Sequence, residues 1–70
     1  MPAKNPETIA FMRTVMDRLG VQTPTELANL LVSEGTFAPN EFRKILKWCA
    51  GDGSPNHAST MRLTKRAGLV

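Results

Sequence analysis

The stretch APNEFRKILKWCAGDGSP, from Ala38 to Pro55, decides how this chain folds. It opens on a proline and closes on glycines. Between them, Phe42, Ile45, Leu46 and Cys49 recur at helical spacing, with Trp48 beside them. On a repeat of about 3.6 residues these form one apolar stripe. Asn40, Arg43, Lys44 and Lys47 fall on the other side, again at helical spacing. The pattern predicts a helix that buries one face and presents amide and cationic groups on the other. Such a face fits the major groove of DNA, where Arg, Lys and Asn reach base edges and phosphates. The plain alternative is a solvated face that binds nothing in particular.

The same punctuation recurs along the chain. Asn5-Pro6 opens a unit that Gly20 closes, and Thr23-Pro24 opens one that Gly35 closes. Ala38-Pro39 runs to Gly51, and Ser54-Pro55 runs to Gly68. Proline suits the first helical position, whose N–H has no intrahelical acceptor, and glycine suits the residue after a helix because it tolerates positive φ. Asn5, Thr23 and Ser54 are residue types that cap helix starts. Glu26, three residues after Thr23, completes a capping-box pattern, and Glu41 meets the positive end of the third helix. The expectation is a single all-α domain over residues 1–70, with helices near 6–19, 24–34, 39–50 and 55–67. No run alternates as a strand would.

Each unit has an apolar stripe. The first offers Ile9, Met12, Met16 and Leu19, widened by Phe11 and Val15. The second offers Leu27, Ala28, Leu30 and Leu31, and the fourth a weaker set of Ala58, Met61, Leu63 and Ala67. Leu69 and Val70 are expected to fold back on the core after Gly68.

The chain has 70 residues, 41% of them hydrophobic, which suits one small folded domain. The net charge of +3 and pI near 9.6 favour an acidic partner such as nucleic acid. Cys49 is the single cysteine, so neither an internal disulfide nor a cysteine-based zinc site can form. The N-terminus, MPAKNPETIA, lacks an apolar run of signal-peptide length, and no stretch could span a membrane. A soluble cytoplasmic protein is expected. His57 and Asp52 could pair as acid and base, but no nucleophile or oxyanion group accompanies them. The inventory argues against an enzyme, and no cofactor, metal or small-molecule substrate is expected.

Three segments together resemble the lambda repressor-like helix-turn-helix family, the class of phage repressor, Cro and related bacterial regulator domains. They are TPTELANLL at Thr23–Leu31, ILKWCAGDGSP at Ile45–Pro55, and the ending RLTKRAGLV at Arg62–Val70. The family's pattern departs at one place: the distance from Leu27 to Trp48 exceeds its tight version by about two helical turns' worth of chain. The extra residues lie in VSEGTFAPN, Val32–Asn40, which predicts a loop in place of the tight turn. The resemblance implies a compact four-helix domain, a sequence-specific regulator in a bacterial or phage-infected cell, and a third helix seated in the major groove of a duplex. Family members read paired half-sites as dimers. A weak homodimer is therefore expected, with Trp48, Leu69 and Val70 as contacts.

Asn40, Arg43, Lys44 and Lys47 are the first candidates for DNA contact. The amino end of a recognition helix lies deepest in the groove, so Asn40 and Arg43 are assigned to base edges and Lys44 and Lys47 to phosphates. Thr23 and Thr25 could donate to phosphate from the start of the second helix, although capping alone explains Thr23. Arg62, Lys65 and Arg66 form a second cationic cluster, which could meet phosphate or simply offset the helix dipole. Trp48 is assigned to the core or to a protein interface, and Cys49 to the core. The competing reading is a helical module that binds another protein, which an exposed Phe37 in the lengthened turn would suit.

Overall fold

The computed structural model describes residues 4–70, whose regular secondary structure is all helical, with no strand among the described residues. Helix α1 spans Pro6–Leu19, α2 Pro24–Ser33, α3 Phe42–Ala50 and α4 His57–Arg66. A 3-10 turn, Pro39–Glu41, leads into α3.

Local chemistry sets the helix starts. The Asn5 side-chain oxygen accepts from the N–H groups of Glu7 (3.1 Å) and Thr8 (3.2 Å), with Pro6 at the first position. The Thr23 hydroxyl accepts from the Glu26 N–H at 3.2 Å. Glu26 returns the favour one residue early, accepting from the Gln22 N–H at 3.3 Å. Glu41 accepts from the Ala38 N–H at 3.0 Å. At α4 the cap is Asn56, whose side-chain oxygen takes the Ser59 N–H at 2.8 Å. Ser54, expected in that role, is used elsewhere. Its hydroxyl accepts from Asn5 Nδ2 at 2.9 Å and meets Thr8 Oγ1 at 3.0 Å. With the Asn5 N–H donating to the Gly51 carbonyl at 3.0 Å, these bonds stitch the loop after α3 to the start of α1.

The helix ends show one informative exception. After α1, α3 and α4, the two residues past the helix return their N–H groups to carbonyls in the last turn, the paired closure common at helix ends. After α2, Gly35 does so, donating to Val32 at 3.1 Å, but the second bond is displaced by one residue. The Phe37 N–H, not that of Thr36, reaches the Leu31 carbonyl at 3.1 Å. The extra residue brings Phe37 over the end of α2 with its ring in the core, 2% exposed.

The core is formed by Met12 and Val15 of α1, Leu27, Ala28 and Leu31 of α2, Phe37 of the following loop, Ile45 and Trp48 of α3, Leu63 of α4 and Ala67 just past it. Helix α3 packs on both α2 and α1. The stripe of α1 is centred on Thr8, Met12 and Val15, while Ile9, Met16 and Leu19 are half-buried at its edge. In α4 Ser59 is buried and Ala58 exposed.

Leu69 and Val70 do not fold back, being 38% and 81% exposed. The Arg18 guanidinium donates to the Ala67 carbonyl (3.2 Å) and the Gly68 carbonyl (2.8 Å), which fixes the chain at the surface as it leaves α4.

Candidate nucleic-acid interface

Charge is divided unevenly along the chain. Six of its nine lysines and arginines (Arg43, Lys44, Lys47, Arg62, Lys65 and Arg66) follow Pro39, opposed there by Glu41 and Asp52. The fold puts these cations on two edges, the outer face of α3 and the second half of α4.

On α3, Arg43, Lys44 and Lys47 are exposed, while Ile45 and Trp48 on the opposite side are buried. Phe42, Leu46 and Cys49 flank the buried pair as a half-buried border. Among the described residues, none of the three cations is in an ion pair. Asp52, the acidic residue after α3, accepts from Lys4 Nζ at 2.6 Å and is thereby occupied. Asn40 is exposed on the 3-10 turn. In 3-10 winding residues three apart eclipse, which brings Asn40 more nearly into line with Arg43 than α-helical winding would.

At the start of α2, Thr23 and Thr25 are both exposed. The Thr23 oxygen already caps the helix, leaving its hydroxyl proton free to donate outward.

The three cations of α4, equivalent in the sequence, differ in the fold. Arg66 Nε donates to Glu34 Oε2 at 2.6 Å. This bond holds the Glu34 carboxyl below its ordinary pKa against the opposing effect of burial, with a lesser contribution from the Thr36 hydroxyl, and it raises the pKa of Arg66. The Arg62 guanidinium lies 5.8 Å from the centre of the Phe37 ring. Lys65 is exposed beside them. An open groove separates this edge of α4 from the loop and the 3-10 turn, with Phe37, Pro39 and Glu41 facing Arg62, Lys65 and Arg66. Nothing local in the sequence signals the Glu34–Arg66 or Arg62–Phe37 pairing.

Trp48, expected as a dimer contact, is 7% exposed and belongs to the core, because the Phe37 ring covers it. Cys49 is half-buried, and desolvation pushes its thiol up to about 11. His57 is exposed at the first position of α4. No helix among the described residues is long and apolar enough to cross a membrane. No protein-family model, curated protein or solved structure matches the chain.

Proposed function

We propose that this chain binds double-stranded DNA with α3 in the major groove, as a small transcriptional regulator of the phage or bacterial repressor-like helix-turn-helix type. The observation that carries the reading is the outer face of α3: three exposed cations, Arg43, Lys44 and Lys47, without a carboxylate partner among the described residues. An α-helix with its side chains is about 10–12 Å across, which suits a major groove about 12 Å wide. Asn40 and Arg43, at the amino end, take the base-edge roles, and Lys44 and Lys47 the phosphates. Thr23 and Thr25 add hydroxyl donors from the start of α2. An exposed Phe37 would suit a protein-binding module, but that ring is buried.

The test is titration of a labelled random duplex with the protein at low and then moderate salt, followed by Arg43→Ala and Lys47→Ala. Binding that weakens steeply with salt and is reduced by both changes supports the reading. Wild-type protein that binds no duplex at low salt overturns it, as do two folded variants that bind like wild type.

A further inference from the structure

We propose that Arg62 and Lys65 form a second phosphate-binding edge, gripping the DNA backbone beside the amino end of α3, while Arg66 holds the α2–α3 loop and touches no DNA. The inference rests on the DNA-binding reading above and deepens it.

Position and charge carry the argument. One wall of the groove beside α4 is Pro39 and Glu41, the turn that leads into α3, and the other is Arg62, Lys65 and Arg66. A duplex that receives the amino end of α3 must therefore bring a flanking strand past the α4 wall. Both carboxylates at this edge are internally occupied. Glu34 takes Arg66 and the Thr36 hydroxyl, and Glu41 takes the Ala38 N–H. Arg62 and Lys65 are left exposed and, among the described residues, without an acidic partner.

Arg62 is also pre-positioned. Its guanidinium rests near the face of a ring that is itself locked in the core. A cation–π contact of this kind leaves the guanidinium N–H groups available to an anion, and a side chain already held loses less rotamer freedom on binding. Arg66 is the reverse case. Moving it to a phosphate would break a 2.6 Å bond to Glu34 and remove one of the anchors of the loop that carries Phe37. The chemistry of the edge suits phosphate oxygens, which take sequence-independent charge-assisted bonds from Arg and Lys.

The experiment is fluorescence anisotropy of a labelled random duplex over roughly 50 to 200 mM salt, with wild type, the double variant Arg62→Gln/Lys65→Gln, and Arg66→Gln. Glutamine keeps much of each aliphatic stem, and circular dichroism checks that each variant is folded. The double variant should flatten the dependence of log affinity on log salt by about two units. Arg66→Gln should keep the wild-type slope and lower the melting temperature. If wild type binds and the double variant keeps the full slope, the second edge is overturned while the reading of α3 stands. A loss of about one unit in Arg66→Gln overturns the division of labour between the three cations. A poly-glutamate peptide that binds wild type as tightly as the duplex does overturns the assignment to nucleic acid. If wild type binds no duplex, the DNA reading fails first, and this edge with it.

Discussion

The Phe37 ring meets the Trp48 indole edge to face, with centroids 6.0 Å apart and planes at 67°. The contact ties the loop between α2 and α3 to the helix that carries the exposed cations. Such aromatic pairs add about 0.5–1.5 kcal/mol to what burial alone supplies. The loop is long by sequence, but it is held at both ends: by the Phe37 N–H on Leu31 and by Glu34 on Arg66.

Phe37→Ala should therefore destabilise the domain by about 3–5 kcal/mol, as deletion of a buried aromatic ring does. That is a large part of the roughly 5 kcal/mol at the low end for folded domains. Phe37→Leu should cost less, because most of the volume stays. Urea unfolding measures both, and a loss below about 0.5 kcal/mol for alanine would place the ring at the surface.

Gly51 and Gly35 share a φ of +85° but differ in surroundings. A Cβ on Gly51 would lie 2.8 Å from Ile9 Cδ1 and 3.3 Å from the Asn5 nitrogen, whereas one on Gly35 would meet nothing within 4 Å. Gly35→Ala should carry the left-handed strain alone, about 1–2 kcal/mol. Gly51→Ala should exceed it, because the seam between α1 and the loop must also open. Equal melting temperatures for the two variants would contradict this.

Glu34 has a folded pKa below its ordinary value of 4.5, chiefly through Arg66. A carboxylate of this kind stabilises fully above its unfolded pKa, and the contribution is lost as pH falls through the folded value. Wild type should thus exceed Glu34→Gln in stability by a constant margin at neutral pH. The margin should shrink as pH drops below 4.5, and thermal melts from pH 7 to 3 would show it. A margin that is unchanged at pH 3 would rule out the pairing as its source.

The Cys49 thiol, raised to about 11 from 9.0 by desolvation, should alkylate slowly in the folded protein. At pH 8 its thiolate fraction should be about a hundredfold below that of the unfolded chain, and the thiolate is the nucleophile. Iodoacetamide labelling with and without denaturant checks this. Equal rates would mean that the sulfur is solvated.

If α3 enters the major groove as proposed, base-edge and phosphate contacts on its outer face should separate on mutation. Arg43→Ala should cost about 1–3 kcal/mol on a preferred site and much less on random duplex. Lys47→Ala should weaken both alike and flatten the salt slope by about one unit. Sites selected from a random library provide the preferred duplex, and identical profiles for the two variants would contradict the split.

Much of the fold is legible in the sequence because its determinants are local. Asn5, Thr23 and the glycines act on residues within one turn, and the all-helical class follows from them. The exposure of Arg43, Lys44 and Lys47 follows from helical spacing opposite Ile45 and Trp48. Where local signals compete, the sequence misleads. Ser54-Pro55 reads as a helix start, yet Asn56 caps α4 because Ser54 bonds Asn5 and Thr8 across the fold.

The sequence by itself determined the helical segments and the face of α3 that carries its cations, since caps, stripes and spacing act over a few residues. Tertiary structure alone decided that Phe37 is a core residue, that Arg66 is bound while Arg62 and Lys65 are free of acidic partners among the described residues, and that Leu69 and Val70 point outward. The partners that decide these matters lie far along the chain. Glu34 is 32 residues from Arg66, and Arg18 is 50 from Gly68. No periodicity encodes a contact between residues that meet only once the helices have packed.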